Sequence, residues 1–257
     1  MKIGILTLPL HTNYGGILQA YALQTVLERM GHEVVVIDQE RRKFVIPLHK
    51  RYLVYAKRII EKYLLRKNIH IFLEDYNKKI TPIIEKNTRK FIEEYIKTKY
   101  YSRLSEIDEK EYDAIVVGSD QIWRPIYFNE DIKENAFLYF TKDWIQCKRI
   151  AYAPSFGSEM WEYSPLETRR IKDMIGKFSY ISVREETGKT MCEQYLGCKA
   201  EVVLDPTLLL RREDYINLIN NRNISIEHKS EMLLVYILDM NSYKKKYNRK
   251  NIFRIKY

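Results

Sequence analysis

The stretch Lys2-Ile3-Gly4-Ile5-Leu6-Thr7-Leu8-Pro9-Leu10-His11-Thr12-Asn13-Tyr14-Gly15-Gly16-Ile17-Leu18-Gln19 decides the fold. Residues 2–8 read as a short apolar strand and residues 11–16 as a turn with two glycines. Ile17, Leu18, Tyr21, Ala22, Leu23, Val26 and Leu27 then recur at helical spacing. Gly31 stops that helix and residues 33–38 form a second strand. The result is a βαβ unit, hence an open α/β sheet. A strand, turn and helix in that order aim unpaired backbone N–H groups and the positive helix end at whatever polar or anionic group binds there.

Working outward, the sheet pattern lapses after Asp38. Residues from about 50 to 100 carry helical signals instead, at Leu53, Val54, Ile59, Ile60, Tyr63, Ile83, Ile84, Phe91, Ile92 and Tyr95, so a helical insertion spans about 45–110. Pro82 is expected to separate two of its helices, because proline suits a first turn and not a helix interior. The sheet resumes at residues 113–117 and continues at 148–153, 180–183 and 201–204, alternating with helices at 165–176, 186–196 and 212–220. That alternation predicts a doubly wound parallel sheet, whose ligands bind at the carboxyl ends of the strands. One more buried-type strand is expected at 232–238, after which residues 241–257 are Lys, Tyr and Asn in quick succession.

A chain of 257 residues buries most of its apolar surface without crosslinks. Its three cysteines, Cys147, Cys192 and Cys198, are odd in number and form no C-x-x-C pair, which fits a reducing cytosol rather than a disulfide framework or a zinc knuckle. No apolar run approaches a membrane span, and the first strand is too short for a secretory signal. The expectation is a soluble cytoplasmic protein. Its formal charge of +10 is local: residues 41–110 carry +10 and residues 241–257 carry +7, leaving −7 elsewhere. Both basic stretches are also rich in Ile, Tyr and Asn, so they read as solvated faces and no nucleic-acid partner is expected. A phosphate-rich or membrane-associated, lipid-linked acceptor, with peripheral membrane contact, is the minority reading.

The candidate chemistry lies at strand exits. Gly15-Gly16 followed by Ala20 is not G-x-G-x-x-G; the loop is either a plain tight turn or a ligand contact in which Asn13 and Gln19 offer amides to sugar hydroxyls or phosphate oxygens. Gly188-Lys189-Thr190 lacks the glycine at position 183 that a P-loop needs. Asp120, after Gly118-Ser119 at a strand exit, reads either as a turn or helix cap or as a base for a substrate hydroxyl. Trp123 is either a wall against a sugar face or a core side chain. Arg184 leaves the sheet at its ligand end; its planar fork suits a carboxylate or phosphate, and a surface pair with Glu185 or Glu186 is the alternative. The five histidines show no metal spacing, so no metal is expected.

Five segments, in order, resemble the polysaccharide pyruvyl transferase family: Asn13-Tyr14-Gly15-Gly16-Ile17-Leu18-Gln19-Ala20-Tyr21-Ala22-Leu23-Gln24 with the preceding Thr7-Leu8-Pro9, Val117-Gly118-Ser119-Asp120-Gln121-Ile122-Trp123, Tyr152-Ala153-Pro154-Ser155-Phe156-Gly157, Ser182-Val183-Arg184-Glu185, and Leu204-Asp205-Pro206-Thr207. The resemblance covers about residues 1–240. It implies two Rossmann-like halves in a glycosyltransferase-B-like arrangement, with residues 1–210 as the first half and residues 211–257 as the start of an incomplete second. The chain therefore reads as a C-terminally truncated or frameshifted member.

The resemblance further implies transfer of pyruvate from phosphoenolpyruvate, a donor substrate rather than a cofactor, onto two hydroxyls of a glycan or lipid-linked sugar acceptor as a ketal. Asp120 would be the catalytic base. Asn13, Gly15, Gly16, Gln19, Ser119, Trp123 and Arg184 would contact substrate, and Arg184 would clamp the anion. Asp205-Pro206-Thr207 reads mainly as structural, since Pro206 holds Asp205 extended. The family's proton donor is a histidine of the second half, and no histidine follows Asp239. Two readings stand: a pyruvyl transferase, or a folded remnant that binds a sugar or nucleotide-sugar without turnover.

Overall fold

The computed structural model describes residues 1–39, 46–128 and 132–220. Seven parallel strands, β1 (Lys2–Leu6), β2 (Glu33–Asp38), β3 (Thr98–Tyr100), β4 (Ala114–Val117), β5 (Lys148–Ala151), β6 (Tyr180–Val183) and β7 (Glu201–Val202), lie in the order β3-β2-β1-β4-β5-β6-β7. The chain builds leftward from β1 and then restarts at β4 on its other side, so the strand order reverses between β1 and β4. This is the doubly wound, Rossmann-like arrangement, with its switch point between those two strands. The chain divides into two compact units, Met1–Arg211 and Arg212–Tyr257. The sheet belongs to the first.

Both faces of the sheet are covered, and the pleat sorts the side chains between them. Ile3, Ile5, Val34, Val36, Ala114 and Val116 point to one face, where Ile17, Ala20 and Leu23 of α1 (Tyr14–Arg29) pack. Leu6, Ile37, Ile115 and Val117 point to the other, against Trp123, Phe137, Ile171 and Ile175. Ile171 and Ile175 come from α5 (Pro165–Ile175), whose Ser164 and Glu167 form a capping box.

The insertion consists of α2 (Leu48–Tyr63), α3 (Leu73–Ile84) and α4 (Lys86–Tyr95). Only α4 joins the core, setting Phe91 and Tyr95 edge-on to Tyr21. Pro82 does not separate two helices: α3 runs through it and breaks at Glu85. Lacking an N–H, the proline removes one helical bond, and two residues from the helix end that loss leaves the rest of α3 intact. The sheet also gains β3, three exposed residues at its edge. Beyond β6, α6 (Glu186–Met191) continues as a π-turn through Cys192–Leu196, and α7 (Arg212–Asn220) begins the second unit. The strand expected at 232–238 and the basic tail lie outside the described residues.

Candidate functional site

The switch point gathers the strand exits. After β1 the chain crosses to α1, and Asn13 caps that helix by accepting from the Gly16 N–H at 3.2 Å. The helix starts at Tyr14, so Gly15 and Gly16 lie in its first turn rather than in a loop ahead of it. Gly16 is there for proximity: a Cβ on it would stand 3.2 Å from Asp120 Oδ2. Asn13 Nδ2 donates to that same oxygen at 3.3 Å. Residues predicted from the two ends of the reversal thus meet across it.

Asp120 adopts φ +63°, a left-handed conformation that aspartate tolerates better than most residues. Its side chain takes no backbone N–H of the following turn, as a cap would; its carbonyl accepts from the Ser155 N–H at 2.8 Å, and Oδ1 has no partner among the described residues. Ala153, at the exit of β5, also sits left-handed, at φ +51°. Two non-glycine residues held this way on adjacent exits cost about 1–3 kcal/mol each, which the surrounding packing sustains.

Gln19 is buried at 2 % exposure, and both ends of its amide are engaged by protein. Nε2 donates to Thr7 Oγ1 at 2.9 Å and to the Gly16 carbonyl at 2.8 Å, and Oε1 accepts from the Ser119 N–H at 2.9 Å. It therefore locks the β1 exit, α1 and the β4 exit together instead of presenting its amide to a ligand. Gln19→Leu leaves the Ser119 N–H and Gly16 carbonyl without their amide partner. An unfolding titration is expected to show a loss of about 2–3 kcal/mol.

Trp123 is also turned inward. It is fully buried, stacks on Phe137 at 4.7 Å, and donates from Nε1 to the Ala136 carbonyl at 3.0 Å. It belongs to the core beneath the site.

Asp205 is the residue that sequence reasoning undervalued. The chain leaving β7 crosses back over the strand exits: Val203 donates its N–H to the Val183 carbonyl at 3.0 Å, Tyr152 donates its hydroxyl to the Leu204 carbonyl at 3.2 Å, and the Pro206–Leu208 turn packs near α1. Asp205 Oδ2 then accepts from Arg184 Nη1 at 3.3 Å and stands 3.2 Å from the buried Ser119 Oγ, whose single proton is shared with the Ala153 carbonyl at 2.9 Å. Oδ1 accepts from Thr207 N–H and Oγ1, at 3.0 and 2.7 Å. One carboxylate joins the exits of β4, β6 and β7.

Arg184 Nε lies 3.7 Å from Glu185 Oε2, and Glu185 accepts from Ser155 Oγ at 2.7 Å. The surface-pair alternative is therefore half true, since the stronger contact is to Asp205. Nη2 of Arg184 has no partner among the described residues. A cleft of about 600 Å³ opens here, lined by Tyr152, Arg184, Asp205, Val203, Leu204 and Leu208 among others. Asp120 is not among its lining residues; it is tied to this cleft through Ser119, its neighbour in the chain. Burial and the nearby Asp205 charge raise the Tyr152 hydroxyl above its ordinary pKa, so it is a neutral donor.

The first unit is thus an α/β protein whose polar side chains converge at a sheet reversal, the place where such folds take small ligands. The family model for polysaccharide pyruvyl transferases matches residues 13–256, and the chain belongs to that family. Neither a curated protein nor a solved structure matches it.

Proposed function

We propose that this chain transfers pyruvate from phosphoenolpyruvate to hydroxyls of a cell-surface polysaccharide or its precursor, forming a ketal and releasing phosphate, with Asp120 as base and Arg184 as anion clamp. The observation that carries the reading is the Asn13–Asp120 contact across the β1/β4 reversal, which leaves Asp120 Oδ1 open one residue along the chain from Ser119, itself beside the Asp205 that holds Arg184. Protonating the donor's methylene makes its central carbon oxocarbenium-like. A sugar hydroxyl attacks that carbon as Asp120 takes its proton, and the second hydroxyl displaces phosphate. The two hydroxyl protons end on the new methyl group and on phosphate. Arg184, held by Asp205 through Nη1, keeps Nη2 for a carboxylate or phosphate oxygen. Asp120 and Glu185 suit sugar hydroxyls as acceptors, while one guanidinium matches one anionic group. The three free thiols accord with action in the cytoplasm.

The test is phosphate release by the purified chain given phosphoenolpyruvate and a panel of glycan and lipid-linked acceptors. Arg184→Lys, which keeps the charge and loses the fork, is expected to lower turnover by about tenfold. Release over no acceptor, with acceptor binding seen by calorimetry, would reduce the chain to a sugar-binding protein.

A further inference from the structure

We propose that α2 is an interfacial helix that seats this protein on an anionic bilayer. The idea goes beyond the reaction proposed above and does not depend on it. At 100° per residue, Leu48, Tyr52, Ala56, Ile59, Ile60 and Tyr63 share one face of α2. That face is the bare one: Tyr52 is 84 % exposed, Leu48 73 % and Tyr63 67 %.

The side turned toward the protein is mixed, made of Val54, Tyr55, Arg58 and Glu61. Arg58 makes a two-pronged contact with Glu74 of α3, at 2.9 Å on each oxygen, and reaches the Ile71 carbonyl at 3.0 Å. Tyr55 sets its ring edge-on to Phe72, and Val54 and Glu61 are half-buried beside them. Helices of globular proteins bury the apolar stripe and expose the charged one. Here the larger apolar side chains stay bare, and α2 is held through the Arg58–Glu74 pair and the Tyr55–Phe72 contact.

The charges choose the occupant. Lys50 and Lys57 border the apolar face on one flank and Arg51 and Lys62 on the other, and none of the four is in a salt bridge with a described residue. Aliphatic centre, tyrosines and flanking cations on long stems are the composition of a helix lying in a headgroup layer, its cations on lipid phosphates. A second copy of the chain would bring eight cations together across the same face. A nucleic acid would use the cations and leave Leu48, Ile59 and Ile60 in water. Among the described residues no helix is long and apolar enough to cross a membrane. Contact along the surface is what α2 can make.

The experiment is co-sedimentation of the full chain with phosphatidylcholine vesicles, with and without phosphatidylglycerol. Binding about tenfold tighter to the anionic vesicles, weakened by salt, is expected. The combined Tyr52→Ser, Ile59→Ser, Tyr63→Ser variant is expected to lose about tenfold or more while keeping the parent melting curve, because those side chains are exposed. Lys50→Gln with Lys57→Gln and Lys62→Gln should erase the preference for phosphatidylglycerol. The proposal is overturned if the parent binds neither vesicle, or if the serine variant binds as the parent does, which would put the contact elsewhere. Light scattering showing a parent dimer that the serine variant dissolves would also overturn it, making the face a subunit interface.

Discussion

Asp120→Asn is expected to lower turnover by about 10²–10⁴-fold with the fold intact, measured as phosphate release against the melting curve of the same preparation. The variant is chosen because it changes one property. Asparagine tolerates the left-handed conformation at φ +63° as well as aspartate does. Its amide oxygen can still accept from Asn13 Nδ2, and the backbone bond from Ser155 to residue 120 is untouched. What disappears is the capacity to take a proton. Acceptor affinity should change by less than about tenfold, since hydroxyl contacts survive the exchange. Turnover within a few-fold of the parent would reduce Asp120 to a fastener between α1 and the β4 exit, and the base would have to be sought at Glu185.

The first strands of the sheet were legible because β1, β2 and β4 are largely buried apolar runs, β2 and β4 rich in valine and isoleucine. β2, β6 and α7 begin and end where their sequence signals do. β3 was not legible: Thr98, Lys99 and Tyr100 are all exposed, so no apolar alternation marks them, and they are strand only by pairing with β2. Pro82 misled for a related reason, since a rule about helix interiors says little two residues from a helix end. Residues 212–220 show α7, while the sequence beyond is outside the described residues.

Within the site, single residues could be nominated and their partners could not. Asn13, Asp120 and Arg184 follow from their positions at strand exits. Gln19 and Trp123 carry polar or flat surfaces that suit a ligand equally well, and only burial shows that the protein uses them itself. Asp205 was hidden by its proline. Extended backbone before Pro206 looks like a domain closure, yet that extension carries the carboxylate back from the sheet edge to Ser119 and Arg184. A long-range return of this kind, 86 residues from Ser119 in sequence, has no local signature.

Gly118→Ala is expected to cost about 4 kcal/mol or more and to lower the melting temperature by about 10 °C. Gly118 follows β4, donates its N–H to the Leu6 carbonyl of β1 at 3.0 Å, and has φ +130°. A Cβ there would stand 2.0 Å from the Tyr152 carbonyl oxygen, and because that atom is backbone no rotamer change relieves it. Relief means parting β4 from β5, which breaks the bond between the Tyr152 N–H and the Val117 carbonyl. Gly31→Ala separates the two contributions: Gly31 has φ +86° with nothing within 4 Å of a Cβ, so it bears the conformational cost alone, about 1–2 kcal/mol. Equal losses for the two variants would mean that the close approach at Gly118 contributes nothing. A larger loss at Gly118, accompanied by loss of activity in whatever fraction remains folded, ties the β4–β5 spacing to the placement of Ser119 and Asp120, the next two residues along the chain.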